Sequence, residues 1–319
     1  MLFALLSVVV PCFFVGASLL AIDKRALQRA HANGAEADTA RSGGVTAGVI
    51  VAAGYALGHT LLIGWSKFPP FESQNWIPWM ALLAALLAKV FSATHTMPST
   101  RKNEKPKAEV VRFVAAIAFA LALSLVLLQA MMLNAWTRTE SLQHVGILAA
   151  CWFFLWFMLD RFRQEVRSSE FAAVAGGTMA LMAPLLIFSA SAVLGQLAGI
   201  AAVVFTPVFL LALRKRSSLA VDVMPPLLAT IWIGLLASGY FYSELPLNAA
   251  GLALIAPLPA RWTAVLLRRN NAVLRMTGIL AAALLPLAIA LFSAWSHYEP
   301  DPYSKYEPQH VEQGRQAKT

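Results

Sequence analysis

Residues 171–213 read FAAVAGGTMALMAPLLIFSASAVLGQLAGIAAVVFTPVFLLAL, without one charged side chain. Crossing the hydrocarbon core of a bilayer takes about 20 apolar residues in a helix. This stretch is long enough for two crossings, with Ser189 and Ser191 marking a tight turn between them. No soluble architecture explains such a run easily, and the rest of the chain repeats the theme. Of the 319 residues, 59% are hydrophobic and 13% are charged. Soluble domains carry about 25% charged residues, so lipid is the simpler solvent for this chain.

Working outward from 171–213, apolar runs suited to spanning helices fall at 2–22, 45–65, 76–97, 112–136, 142–159, 171–190, 192–213, 222–242, 246–263 and 274–296. The third contains Lys89. The ninth is short and carries Pro257 and Pro259. The opening run lacks a basic leader and a small-residue cleavage site, so it reads as a first span and not as a removed signal peptide. The expected fold is therefore an all-α, polytopic transmembrane helix bundle of about ten spans.

The basic residues set the orientation. Of 25 Lys and Arg, 19 lie in segments 23–44, 98–112, 160–170, 214–220 and 261–275. Every second connection is basic. The positive-inside rule then places these segments in the cytoplasm and both termini on the non-cytoplasmic side. A cell (inner) membrane of bacterial type is the expected location. The net charge of +9 points to anionic lipid headgroups at these cytoplasmic loops, and away from nucleic acid.

The domain plan is one transmembrane helical domain, 1–296, followed by a polar tail, 297–319. The tail holds two Tyr-Glu-Pro triplets, at Tyr298 and Tyr306. Its proline and charge density predict a disordered extracytoplasmic end, or else a strap for a protein partner. Ten spans allow halves 1–160 and 161–296 to form two inverted five-helix repeats, a plan common in transporters. Three correspondences fit. Gly44 and Gly48 open span two as Gly195 and Gly199 open span seven. Asn75-Trp76-Ile77-Pro78 opens span three as Asp222-Val223-Met224-Pro225 opens span eight. Pro11 and Pro184 lie inside spans one and six. Close helix contacts and ordinary N-capping explain each of these equally well. Span two adds Gly54 and Gly58, which predicts a central helix with close neighbours on more than one face. In architecture, ten spans and outside termini are similar to auxin-efflux-type carriers, as is the opening 1–11. Span four departs from them: 113–136 lacks the proline or glycine that breaks the matching helix there, so no residue role is carried over.

Few residues are candidates for chemistry. Lys89 is the only charge well inside a span, where an unpaired ammonium costs about 2.5–3.5 kcal/mol. Its stem can snorkel to the headgroups. Alternatively it faces a cavity with Ser92 and Thr96 on the same helical face and receives an anion. His59 lies one turn after Tyr55 in span two. With Gln129 and Gln196, and with Asn134 and Tyr240, it shares the outer half of the membrane. Together they could line an outward cavity, or each could make one interhelical hydrogen bond. These residues, Lys89, Ser92, Thr96, Tyr55, His59, Gln129 and Gln196, form the expected ligand-binding set.

No histidine pair has ligand spacing, so neither a metal site nor a cofactor is expected. Paired carboxylates, a phosphate loop and a His-Glu-x-x-His motif are missing, so no catalytic residue is assigned and an enzyme is the third choice. The leading expectation is permease-like transport of a small solute or lipid-like molecule. The alternative is a non-catalytic integral subunit or scaffold of a larger membrane complex.

Overall fold

The computed structural model describes residues 2–33, 36–65, 67–92, 105–214, 221 and 223–298, with 2–4, 23–33, 36–45, 89–92, 105–109 and 297 described as backbone only. The helices are α1 (Leu2–Asn33), α2 (Glu36–Ile63), α3 (Ile77–Ser92), α4 (Lys105–Asn134), α5 (Arg138–Glu165), α6 (Ser168–Phe188), α7 (Ala192–Leu213), α8 (Met224–Tyr242), α9 (Leu247–Ile255), α10 (Pro257–Leu266) and α11 (Ala272–His297). A short 3-10 turn, Ser73–Trp76, leads into α3. No strand occurs among the described residues. Among the described residues nine spans meet the length and apolarity needed to cross a membrane. Helix α3, with 16 residues, lies in the remaining predicted span. The fold is thus an all-α bundle of about ten spans.

Local chemistry explains most of the helix ends. The charge-free run 171–213 bends at 189–191, where Ala190 takes φ 61° and the Ser191 side chain caps α7 by accepting from the Leu194 N–H. At the start of α5, Thr137 and Glu140 form a capping box, in which each side chain accepts the other's backbone N–H. The ninth span is divided into α9 and α10. Pro257 lacks an N–H and stands at the first position of α10, the helical position that tolerates proline best.

The interior is organised around α8, not around α2 as the glycine count predicts. Every residue from Met224 to Gly239 is buried. A membrane helix enclosed on all sides must be apolar all round, and α8 is uncharged over its whole length. Helix α2 is instead wedged between neighbours by its glycines. A methyl group on Gly54 would meet Val15 of α1 at less than contact distance, and one on Gly58 would meet Ile200 of α7 together with Pro11 and the Ser7 carbonyl. Gly48 turns towards Val223 and Ala85. Close contact on more than one face of α2 is therefore present. Of the second glycine pair, Gly195 is pressed against Ile187 and the Ala183 carbonyl, whereas Gly199 faces open space.

Helices α1 and α2 form one close hairpin and α6 and α7 another, while α2 meets α7 and α3 runs along α8. The flanks differ: α5 packs on α8 and α6 on α11, with no comparable packing of α11 on α3 or of α5 on α1 among the described residues.

The tryptophans Trp152 and Trp156 of α5 are both buried. Trp152 donates from Nε1 to Thr230 Oγ1 of α8 at 3.1 Å. Trp156 lies beneath the Arg112 guanidinium at 4.9 Å.

At one end of the bundle the basic segments 98–112, 160–170 and 261–275 meet, and here they hold their own acids. Arg112 pairs with Asp160 at 2.7 Å. Arg261 donates from Nε and Nη2 to both oxygens of Glu165 at 2.9–3.1 Å. Arg275 reaches Glu170 at 3.3 Å and donates to the Glu165 carbonyl at 3.0 Å. Three arginines expected to face lipid headgroups are therefore tied between helices at this basic end.

Candidate functional site

The backbone of α2 sets the site. Gly48 faces α3 and Val223, the residue that precedes α8. At about 100° per residue, Tyr55 and His59 fall within about 20° of the Gly48 direction. Both side chains are buried. Neither Tyr55 Oη nor His59 Nε2 has a hydrogen-bond partner among the described groups. Helix α8 runs in the same sense as α2. Counting seven residues from the Gly48–Val223 contact puts Tyr55 level with Thr230. Trp232, two residues further on, lies about 3 Å higher. This tryptophan shares the direction of Gly239, which faces Leu186 of α6, and not that of Gly234, which faces Ile77 of α3. It is fully buried and its Nε1 is also unpartnered.

Above this level the 3-10 turn closes the site. His59 lies near the Gln74 backbone and the Glu72 carboxylate. Glu72 accepts from Gln74 Nε2 and Asn75 Nδ2, each at 3.1 Å. Asn75 is buried with Oδ1 unpartnered, and the hydroxyls of Ser73 and Ser238 share a hydrogen bond at 3.3 Å. The turn is anchored by the Trp76 Nε1 donation to the Pro70 carbonyl at 3.0 Å.

The polar inventory of this region is selective. Ser124, Thr178 and Thr230 are equally buried, but each donates to a backbone carbonyl one turn back. Leaving a buried donor or acceptor unmade costs about 1–3 kcal/mol. Tyr55, His59, Trp232 and Asn75 therefore stand out as groups suited to a polar guest. A phenol and an imidazole can each donate or accept, an indole N–H only donates, and an amide oxygen only accepts. Such groups can donate hydrogen bonds to, and accept them from, a small polar molecule. It contains no nucleophile–base pair.

Of the expected ligand-binding residues, Tyr55 and His59 come together here. Gln129 and Gln196 are exposed on the outer surface of the bundle. So are Asn134, which donates to the Ala130 carbonyl, and Tyr240. The shared height of these groups does not gather them in one cavity. Lys89 and Ser92 are described as backbone only, so their side chains, like the whole of Thr96, lie outside the described residues, as do Asp222 and the tail beyond Tyr298. Among the described residues no group of three or more His, Cys, Asp or Glu is placed to hold a metal ion.

Trp232, Asn75 and the Ser73–Ser238 pair are absent from the sequence-derived set. One signal pointed to Trp232: it sits at mid-span, far from the interface where membrane tryptophans concentrate. The sequence marks Asn75 only as the opening of span three and does not single out Ser73; the burial of both depends on how the turn folds back over α8. Comparison with protein-family models, with curated proteins and with solved structures finds no match to this chain.

Proposed function

We propose that this protein is a permease-like membrane protein that passes a small polar or amphipathic solute between α2, α3 and α8. The observation that carries this reading is the pair of buried, unpartnered polar atoms on Tyr55 and His59 of one α2 face. Intramembrane polar groups are costly and tend to mark substrate paths. By their spacing in the sequence Lys89, Ser92 and Thr96 suit one helical face, and an anionic group on the solute would suit that face. An inverted relation of halves 1–160 and 161–296 is supported at the centre, where α2 meets α7 and α3 meets α8. We place the basic end in the cytoplasm of a bacterial inner membrane, with both termini outside, on the alternation of basic loops.

The test is solvent access. In a background with Cys12 and Cys151 replaced by alanine, single cysteines are placed at 48, 52, 55, 59 and 62 and challenged with a membrane-impermeant maleimide in proteoliposomes. Labelling at 55 and 59, blocked by a transported solute, is the expected result. No labelling at either position in any solute or pH condition overturns the proposal.

A second reading, as a non-catalytic subunit of a larger membrane complex, is favoured by the loop before α3. Trp65, Phe68 and Phe71 are more than 70% exposed there, and the Tyr-Glu-Pro tail would leave the same face. Stoichiometric partners retained in mild detergent, and lost on deleting 299–319, would support it. A clean monomer would sink it.

A further inference from the structure

A groove of about 520 Å³ runs along the seam of α4 and α5. Ala120, Ala149 and Ala150 leave the space, and Ile117, Phe153 and Phe157 wall it. No polar side chain lines it. On α5 the lining extends from Ala149 to Met158, which at 1.5 Å per residue is about 14 Å. Half of a hydrocarbon core of about 30 Å is about 15 Å, so the groove is as deep as one leaflet.

The groove has a polar end. Arg161 is one turn beyond Phe157 on the same stripe of α5. Its guanidinium lies over the Phe157 ring at 5.2 Å, and its side chain is exposed. Among the described side chains the acids of this end are already committed: Asp160 to Arg112, Glu165 to Arg261 and Glu170 to Arg275. Among the described residues Arg161 has no carboxylate partner.

We propose that the α4–α5 seam binds one anionic glycerophospholipid from the leaflet at the basic end, with an acyl chain in the groove and its phosphate on Arg161. Charge complementarity names the occupant. A guanidinium stacked on an aromatic ring keeps its donor fork free for phosphate oxygens, and basic pockets between membrane helices recognise such headgroups. The phenylalanine walls and alanine floor offer the chain dispersion contacts that a smooth helix surface lacks. This site lies on the outside of the bundle and does not depend on the transport proposal.

The experiment is native mass spectrometry of the full chain, released from detergent after equilibration with equimolar phosphatidylglycerol and phosphatidylcholine. Wild type is expected to retain one phosphatidylglycerol in preference. Arg161→Ala is expected to lose about five-fold of that preference, the value of about 1 kcal/mol per basic residue near the surface, and Arg161→Lys to keep most of it. Ala150→Trp, which fills the groove from an exposed position, is expected to lose both lipids. Thermal melts of each variant establish that it is folded. Equal retention of the two lipids by wild type, no bound lipid, an unchanged preference in Arg161→Ala, or a co-purified polyprenyl phosphate in place of a diacyl lipid would each overturn the proposal.

Discussion

Arg275 at the start of α11 sits 3.3 Å from Glu170 at the start of α6, with side-chain exposures of only 10% and 2%. The pair joins two helices that are neighbours in space but far apart in sequence. Glu170 also accepts the Arg167 backbone N–H at 2.8 Å, so one carboxylate both caps α6 and holds α11.

Removing one partner leaves the other charge buried, which costs about 3–5 kcal/mol. Glu170→Gln and Arg275→Leu should each lower the thermal melting point in detergent markedly. The double variant should recover much of the loss, because replacing a whole buried pair is often near neutral. A double-mutant cycle on melting temperatures measures this, and strict additivity would contradict it.

Gly58 and Gly199 provide an opposed pair. A methyl on Gly58 meets Ile200, Pro11 and the Ser7 carbonyl, whereas one on Gly199 meets nothing within 4 Å. Gly58→Ala should destabilise by roughly 1–3 kcal/mol through overpacking. Gly199→Ala should be neutral or slightly stabilising, since alanine has the better helix propensity. Chemical denaturation in mixed micelles should separate the two.

Trp152→Phe removes the Nε1 donation to Thr230 and retains most of the aromatic bulk. Thr230 still donates to the Pro226 carbonyl at 2.8 Å, so its hydroxyl is not stranded. The expected cost is about 0.5–1.5 kcal/mol, read from the same denaturation curves. A larger loss would mean that the ring's packing against Phe119 and Trp156 dominates over the hydrogen bond.

For His59 and Trp232, function should suffer more than stability. Each carries a buried atom with no partner among the described groups. Trp232→Phe should therefore cost only the void its smaller ring leaves, and His59→Phe only the hydrogen bond to the Gln74 backbone, about 0.5–1.5 kcal/mol each. If these atoms serve a passing solute, labelling of a cysteine at 55 should lose its protection by that solute in both variants. Destabilisation without any change in protection would mark the two residues as structural.

How much was legible beforehand follows from what each observation depends on. The helix ends at Thr137 and Pro257 are local, set by a side chain and its own backbone. The spans are nearly as local, because about 20 apolar residues must satisfy their backbone within one helix in lipid. Lys89 drew attention as a charge in a span, yet Asp160, Glu165 and Glu170, in a segment dismissed as basic loop, turned out to bind three helices' arginines.

The sequence by itself determined the class of fold, the approximate number of spans, and the close packing of α2. Only the tertiary structure decided that α8 is central, that Tyr55, His59 and Trp232 are interior while Gln129 and Gln196 are not, and that the α4–α5 seam is grooved. The physical reason is that lipid and protein interior are alike as solvents. In water, a buried face announces itself by being apolar beside a polar one. In a bilayer both faces are apolar, so hydropathy reports that a residue leaves water and is silent on whether it meets an acyl chain or another helix.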